Sequence, residues 1–310
     1  MNSFSSRPIA AIAEKSLSAS TQRDYKFYFA RFMQFILLNS KTFDTCTVDD
    51  IFEFLLEYSK VAPKFTSVCT AKTAIRWYLK AGDKRHMLED PRWKTFMKGM
   101  KRVTLPSEPR FHVWNPHRVL ERLSKTTKPE SLIQSGQEAL TLLMLATGLR
   151  VDDIFKLRAK YVKTDYGLRL FFREPRKTDC VKQFVTFIDV ASFPANHRIC
   201  PVRAILRYLR FAHAARNTDG DSLVISSTGA PAAKQTLQRW VRTELARAGI
   251  VATAGSARSA AASAAFASGM SVDVIMRSAG WLSESVFRKH YFRPVFTPNN
   301  LFANYAPHAC

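Results

Sequence analysis

The second half of the chain carries residue types that can handle a phosphodiester. Arg150 and Arg258 lie in helix-like segments, Lys177 lies in a polar turn between two apolar runs, and Tyr291 stands in the basic segment RKHYFRP. Guanidinium groups bind phosphate oxygens through paired, charged hydrogen bonds and stay protonated at any relevant pH. A tyrosine hydroxyl beside them could attack the phosphorus atom. The four residues therefore suggest phosphoryl transfer, although Arg150 at a helix end and Tyr291 on a last helix could also be purely structural.

The composition favours a polyanionic partner. The chain has 310 residues, with 47 Lys+Arg against 25 Asp+Glu and a formal net charge of +22, which attracts nucleic acid from a distance. An anionic membrane would instead call for a clustered basic amphipathic helix or a long uncharged span, and the sequence has neither. We therefore expect double-stranded DNA as the partner and no membrane association.

The five cysteines are scattered and lack the spacing of a zinc site or a disulfide framework. Reduced thiols in an intracellular protein are the simplest interpretation. We expect the nucleus as the location in a eukaryotic host and the cytoplasm otherwise.

Hydrophobic periodicity predicts a helical domain over residues 1–105. One helix is expected to be capped by Ser20 or Thr21, and a second by Thr47, with acidic residues in its first turn. A third covers about 67–79, and the segment PRWKTFMKGMKR predicts a shorter one. The candidate phosphate contacts of this domain are basic residues spread over its helices, namely Arg23, Lys26, Arg76 and Lys94.

A second domain is predicted over residues 112–310, after the proline-containing linker TLPSEPRFH. Helical patterns occur in NPHRVLERLSK, SGQEALTLLMLATGLRVDDIFKLR, CPVRAILRYLRFAHAA and KQTLQRWVRTELARAG, and through residues 256–291. Between them, YGLRLFFREPRKTDCVKQFVTFIDV predicts two strands joined by a polar turn at 174–179. The expected fold class is mainly α with a small antiparallel β-sheet, as an N-terminal helical bundle plus a mixed α+β domain.

Four segments resemble the tyrosine recombinases, the phage-type integrase family. ATGLRVDDIFKLR is similar to the family's first arginine box, and ICPVRAILRYL to its recurring Cys-Pro helix start. ARSAAASAAFASGMSVDVIMRSAGW resembles the second arginine box with its His-or-Trp position, and SVFRKHYFRP resembles the nucleophile segment. The likeness covers residues 137–294 well and the N-terminal helices, as a core-binding domain, more loosely. The segment RSAAASAA and the Trp at position 281, in place of His, resemble the corresponding residues in recombinases of eukaryotic and viral mobile elements.

The resemblance implies a role for each of the reactive residues. Arg150 and Arg258 would hold the nonbridging oxygens of the scissile phosphate and neutralise the charge that develops there. Tyr291 would be the nucleophile, forming a 3′-phosphotyrosyl link and expelling a 5′-hydroxyl. The bond energy is conserved in that link, so a second DNA end can reverse the step without ATP.

The same resemblance implies three supporting roles. Lys177 would protonate the leaving oxygen as general acid, with Lys182 as the second candidate. Trp281 would donate its indole N–H to the phosphate and pack the site. Solvated phosphate contact is the alternative for Lys177, and a core position is the alternative for Trp281. Lys182 and Arg288 are also candidate DNA contacts.

One position departs from the family pattern. Gly255 stands three residues before Arg258, where the second box normally has His or Lys. Glycine cannot transfer a proton, and His290 points about 100° away from Tyr291 if both lie on one helix. Three interpretations remain open: a slower but active enzyme, a site completed by another residue such as Ser256, and a DNA-binding relative without activity.

The resemblance also implies an assembly and a function. Two domains joined near 104–111 would close as a C-shaped clamp around duplex DNA, and the working unit would be a homotetramer on two DNA sites, with the segment after Tyr291 docking on a neighbour. No metal ion or other cofactor is expected, because arginines and a lysine take the roles a metal would fill. The expected function is site-specific recombination, such as integration or excision of a mobile element. The alternatives are a catalytically silent DNA-binding protein and a type IB topoisomerase active as a monomer on any sequence.

Overall fold

A computed structural model describes residues 16–82, 84–104, 113–176, 179, 185–281 and 284–290, without the side chains of residues 286, 289 and 290. These residues form two compact units, one on each side of the gap at 105–112. None of the described helices is both long enough and apolar enough to cross a bilayer.

The described residues of the N-terminal unit form four α-helices and one 3₁₀ turn. They are α1 Ala19–Leu38, α2 Val48–Val61, α3 Phe65–Ala81, the 3₁₀ turn Arg85–Leu88 and α4 Arg92–Val103. Ser18 caps α1, because its hydroxyl accepts the N–H of Thr21 at 3.2 Å. The cap predicted at Ser20 or Thr21 was therefore wrong. The cap predicted at Thr47 is confirmed, since the Thr47 hydroxyl and the Asp50 carboxylate bond each other's backbone N–H groups.

Aromatic side chains form much of the core of this unit. Phe32 of α1 packs edge-on against Phe54 of α2 with ring centroids 5.5 Å apart, and Phe29 stacks on Tyr78 of α3 at 3.8 Å. Phe32 is fully buried. The apolar stripes of the three helices thus meet in one cluster, as their helical spacing predicts.

The described residues of the C-terminal unit form helices and one three-stranded sheet. Its elements are α5 His117–Lys125, α6 Leu132–Thr147, α7 Val151–Phe155, β1 Leu157–Thr164, β2 Gly167–Phe172, β3 Phe187–Ala191, α8 Pro201–Ala215, α9 Lys234–Arg247, α10 Ser256–Ala267, α11 Val272–Ala279 and α12 Glu284–His290. The fold class expected from the sequence, mainly α with a small antiparallel sheet, is confirmed.

The sheet has one strand more than the sequence analysis predicted. The predicted pair corresponds to β2 and β3, which run antiparallel in the order β1-β2-β3. β1 was missed, and its first two residues were assigned to a helix, because the apolar spacing of VDDIFKLR continues past the true helix end at Phe155. The strand forms because Leu157 pairs with Phe172, and its carbonyl accepts the N–H of Leu223 at 2.8 Å. These partners are distant in sequence, and local periodicity does not report them.

Helix α6 lies at the centre of the C-terminal unit. All residues from 135 to 144 are buried, and α6 packs against α8, α9 and α10. A helix that is buried around its circumference shows almost no polar face, which matches the apolar run ALTLLMLA. The loop that follows its C-terminus therefore starts from a fixed point in the core.

Candidate active site

Arg150 is presented by the short turn between α6 and α7. Gly148 ends α6 in the left-handed conformation, with φ of 63°, and a side chain there would be strained and would meet the Cβ of Ala279 at 2.8 Å. The backbone N–H of Arg150 donates to Oδ2 of Asp153 at 3.0 Å, and its Nη1 lies 3.9 Å from the same oxygen. The Arg150 side chain is still 29% exposed. Its backbone is fixed, whereas its guanidinium can reach a ligand.

Two carboxylates at the start of α7 support this turn. Asp153, which the sequence analysis did not single out, is buried and holds the backbone of Arg150. Asp152 pairs with Lys234 of α9 and with Lys156, whose Nζ lies 3.5 Å away. Burial raises the pKa of Asp152, but the hydrogen bond and charge of Lys234 and the charge of Lys156 outweigh it and lower that pKa below its usual value. The acidic residues after Arg150 were the available sequence signal.

Arg258 is the third residue of α10 and only 2% exposed. Its Nη1 donates to the carbonyl oxygen of Gly148, and its guanidinium carbon lies 3.8 Å from the ring centroid of Trp281. A cation over an indole face is stabilised by the ring quadrupole, most strongly when water is excluded. Because Gly148 lies two residues before Arg150, the two arginine boxes meet at one loop.

Trp281 lies against the guanidinium of Arg258. It follows Gly280, which caps α11 in the left-handed conformation with φ of 67°, and it is 7% exposed. Its ring packs edge-on against Phe287 of α12, with centroids 4.9 Å apart. Both interpretations of Trp281 are therefore compatible with the structure: it is a buried packing residue, and it touches a predicted catalytic arginine. Through Phe287 it also fixes the helix that directly precedes Tyr291 in the sequence.

Gly255 is the position that departs from the family pattern. It caps α10 with ordinary helical dihedral angles, φ −63° and ψ −21°, and a Cβ built on it meets no described atom within 4 Å. The neighbouring Ser256 hydroxyl accepts the indole N–H of Trp114 at 2.8 Å and donates to the carbonyl of Thr253 at 2.6 Å. These bonds engage the Ser256 hydroxyl both as donor and as acceptor, which argues against Ser256 as a substitute for the missing histidine. Trp114 itself was not recognised from the sequence.

Three predicted site residues, Lys177, Lys182 and Tyr291, lie outside the described residues, and so does the side chain of His290. Their roles remain predictions.

The remaining candidate DNA contacts lie on described helices. Arg23, Lys26 and Lys94 are exposed, whereas Arg76 is half-buried with its guanidinium 5.5 Å from the ring of Trp93. In the C-terminal unit, Arg288 is exposed and donates to Glu284 at 2.7 Å.

Comparison with known proteins gives a family and a fold. The sequence model of the phage integrase family matches residues 116–297, more than half of the chain. No curated protein matches the chain in sequence.

Solved structures share the fold at low sequence identity. XerH site-specific recombinase bound to palindromic difH substrate, a post-cleavage complex, matches with a TM-score of 0.60 at 11% identity, over 93% of this chain and 81% of that one. A lambda integrase tetramer bound to a Holliday junction matches with a TM-score of 0.57 at 14% identity, over 90% of this chain and 74% of that one. The Tn1549 transposon integrase in complex with transposon right end DNA matches with a TM-score of 0.56 at 15% identity, over 90% of this chain and 91% of that one.

Proposed function

This chain belongs to the phage integrase family, the tyrosine recombinases, and on that premise we propose that it cleaves and rejoins DNA at specific sites through a 3′-phosphotyrosyl intermediate. The observation that carries the proposal is the hydrogen bond from Arg258 to the carbonyl of Gly148, which joins the second arginine box to the loop of Arg150. Two guanidinium groups near one loop can bind both nonbridging oxygens of a phosphodiester. No metal ion is needed to neutralise the phosphate in this scheme.

In the proposed reaction, the Tyr291 hydroxyl attacks the phosphorus atom. A phosphorus–oxygen bond to the tyrosine forms while the bond to the 5′ oxygen breaks, and Lys177 supplies the proton that this oxygen takes up. Arg150 and Arg258 stabilise the negative charge of the transition state, and Trp281 adds its indole N–H. Attack by a 5′-hydroxyl of a second strand reverses the chemistry and releases Tyr291.

DNA binding is supported by the charge and by the similar proteins. The net charge of +22 favours a polyanion, and the exposed Arg23, Lys26 and Lys94 can contact the phosphate backbone. The similar lambda integrase is a tetramer on a Holliday junction, and the Tn1549 integrase belongs to a transposon. We propose a homotetramer on two DNA sites that integrates or excises a mobile element.

Covalent trapping tests the proposal. The protein is incubated with a duplex that has sulfur in place of the 5′-bridging oxygen at the scissile phosphate, and a denaturant-resistant protein–DNA band is measured. We expect a band from the parent protein and none from Tyr291→Phe. Absence of the band with salt-dependent duplex binding intact would identify a silent DNA-binding protein. A covalent band with relaxation of unrelated plasmids by a monomer would identify topoisomerase activity instead.

A further inference from the structure

A shallow basic pocket lies between α5 and the end of α9, and none of its residues belongs to either arginine box. Its volume is about 310 Å³, and its lining residues are Arg118, Glu121, Arg122, Lys125, Arg247 and Ala248. The first four are three or four residues apart along α5, so they share one face of that helix. Arg247 and Ala248 lie where α9 ends. Two helices of one unit therefore form the walls of the pocket.

A fully buried carboxylate holds two of these arginines side by side. Glu244 of α9 is 0% exposed, and its two oxygens have different partners. Nη2 of Arg122 contacts Oε1, and Nη1 of Arg247 donates to Oε2 at 3.1 Å. The side chains of Arg122 and Arg247 are still 23% and 40% exposed. Both side chains are therefore anchored from inside the protein and reach the solvent at the pocket.

Arg118 brings a third guanidinium group to the same pocket. Its Nη2 lies 3.4 Å from the point that a Cβ at Gly249 would occupy, so the guanidinium rests against the backbone just after α9. The residue is exposed, and no carboxylate in the described part of the chain forms an ion pair with it. Its charge is therefore available to a ligand.

Positive charge exceeds negative charge around the pocket. Lys125 pairs with Glu121 at 2.6 Å, and Glu244 is shared by two arginines. Counting Glu244 with the lining residues, four basic groups face two carboxylates. The surplus is two positive charges, in a place where part of the cluster is removed from water.

The ends of the two helices offset only part of this surplus. Both α5 and α9 end at the pocket, and the free carbonyl groups of a helix C-terminus carry about half a negative charge. Two such ends amount to about one charge, which is less than the surplus. The basic residues therefore do more than neutralise the helix ends.

Arg122 shows the effect of this crowding on one group. Burial and the charge of Arg247 lower the pKa of Arg122, with a further contribution from Arg198, and Glu138 opposes them. A cation whose charged form is disfavoured by burial and by like charges is stabilised when an anion arrives.

We propose that this pocket binds a phosphate group through Arg118, Arg122 and Arg247. Guanidinium groups donate paired, charged hydrogen bonds to phosphate oxygens, and three of them surround one small volume here. The phosphate can belong to the DNA backbone or to a small phosphorylated molecule, because the chemistry of recognition is the same. The inference goes beyond the proposed function, since it uses no step of DNA cleavage.

Calorimetric titration with pyrophosphate tests the pocket. Every titration uses the Arg150→Ala protein at constant ionic strength, which weakens phosphate binding at the candidate active site. Arg118→Gln is the main variant, because it removes one charge without breaking an ion pair of the described residues. We expect the affinity for pyrophosphate to fall by about 10-fold or more, the effect of one lost charged hydrogen bond.

Glu121→Gln should change the affinity in the opposite direction. Glu121 is 65% exposed and its only described ion pair is with Lys125, so the fold should be kept. Removing a negative charge beside the pocket should strengthen pyrophosphate binding by about two- to fivefold. Tighter binding cannot result from a loss of structure.

Arg203→Gln is the matched control. Arg203 of α8 is exposed and lies outside the pocket, and the substitution removes the same single charge. It should leave the affinity for pyrophosphate unchanged. An unchanged affinity in Arg118→Gln would overturn the inference, and so would an equal loss in Arg203→Gln.

Binding to duplex DNA identifies the source of the phosphate. If the DNA backbone fills the pocket, Arg118→Gln also weakens duplex binding, and the slope of log K against log salt falls by about one relative to Arg203→Gln. If a small molecule fills it, duplex binding matches that of the control while pyrophosphate binding is lost. Both results support a phosphate site, and neither depends on a covalent intermediate, so the inference and the proposed function fail separately.

Discussion

The two arginine boxes hold their arginines in opposite ways. Arg150 begins a short helix, its backbone is anchored by Asp153, and its side chain is 29% exposed. Arg258 lies inside a helix, is 2% exposed, and has its guanidinium between a backbone carbonyl and an indole ring. In the first box the backbone is fixed and the charged group is accessible. In the second box the charged group itself is part of the packing.

The difference indicates that the two arginines contribute to phosphate binding in different ways. A half-exposed guanidinium can adjust to an arriving phosphate, whereas a buried one is oriented before the ligand binds and loses little entropy on binding. The boxes also differ in chemistry. Carboxylates support the first, while a backbone carbonyl and an indole ring contact Arg258 in the second.

Truncation of each arginine should give the largest effects. We expect Arg150→Ala and Arg258→Ala both to slow single-turnover cleavage by about 10²- to 10³-fold, because each removes a donor to the developing phosphate charge. Only Arg258→Ala should also lower the free energy of unfolding, by about 2–4 kcal/mol, since it leaves a cavity and a buried carbonyl without its donor. Arg150→Ala should change it by less than about 1 kcal/mol. Urea unfolding measures both values.

An equal loss of unfolding free energy in Arg150→Ala and Arg258→Ala would contradict this difference between the two arginines.

Introducing a histidine at Gly255 should sharpen the contrast by adding a titratable group to the second box. The backbone there has ordinary helical angles and a Cβ meets no atom of the described residues within 4 Å, so Gly255→His should fold with almost unchanged stability. If proton transfer limits cleavage, the rate should rise by about 10-fold or more, most strongly near the pKa of the imidazole.

Gly255→Ala is the matched control, because it adds a Cβ without an imidazole. Equal rates for the two variants would show that position 255 does not face the reacting atoms in this chain.

The smallest expected effect concerns pH. The pKa of Asp152 is lowered in the folded protein, since Lys234 and Lys156 outweigh the effect of burial. Its contribution to stability is therefore fully present above the pKa of the unfolded state and is lost as the pH falls through the lower folded value. We expect Asp152→Asn to lower the melting temperature by a few degrees at neutral pH, and the difference from the parent to vanish in strong acid.

A pH-independent deficit in Asp152→Asn would mean that packing, not charge, supports the first box.

Much of the fold could be predicted from local patterns. The cap at Thr47 and the apolar stripes of the N-terminal helices depend on residues within one or two turns. β1 could not be predicted, because it exists through partners at Phe172 and Leu223. The site divides in the same way: Arg150 and Arg258 were recognisable as boxes from the sequence, whereas Asp153 and Trp114 were identified only through what they contact.

The sequence by itself determined the helix-rich fold class, the two arginine boxes and their order, and the glycine at position 255. These follow from spacing and residue type, which act over a few residues. Only the tertiary structure decided that Arg258 bonds the carbonyl of Gly148, 110 residues earlier, and that Trp281 lies against its guanidinium. Such contacts depend on how α6, α10 and α11 pack, because burial is cooperative among elements and is not encoded in any one of them.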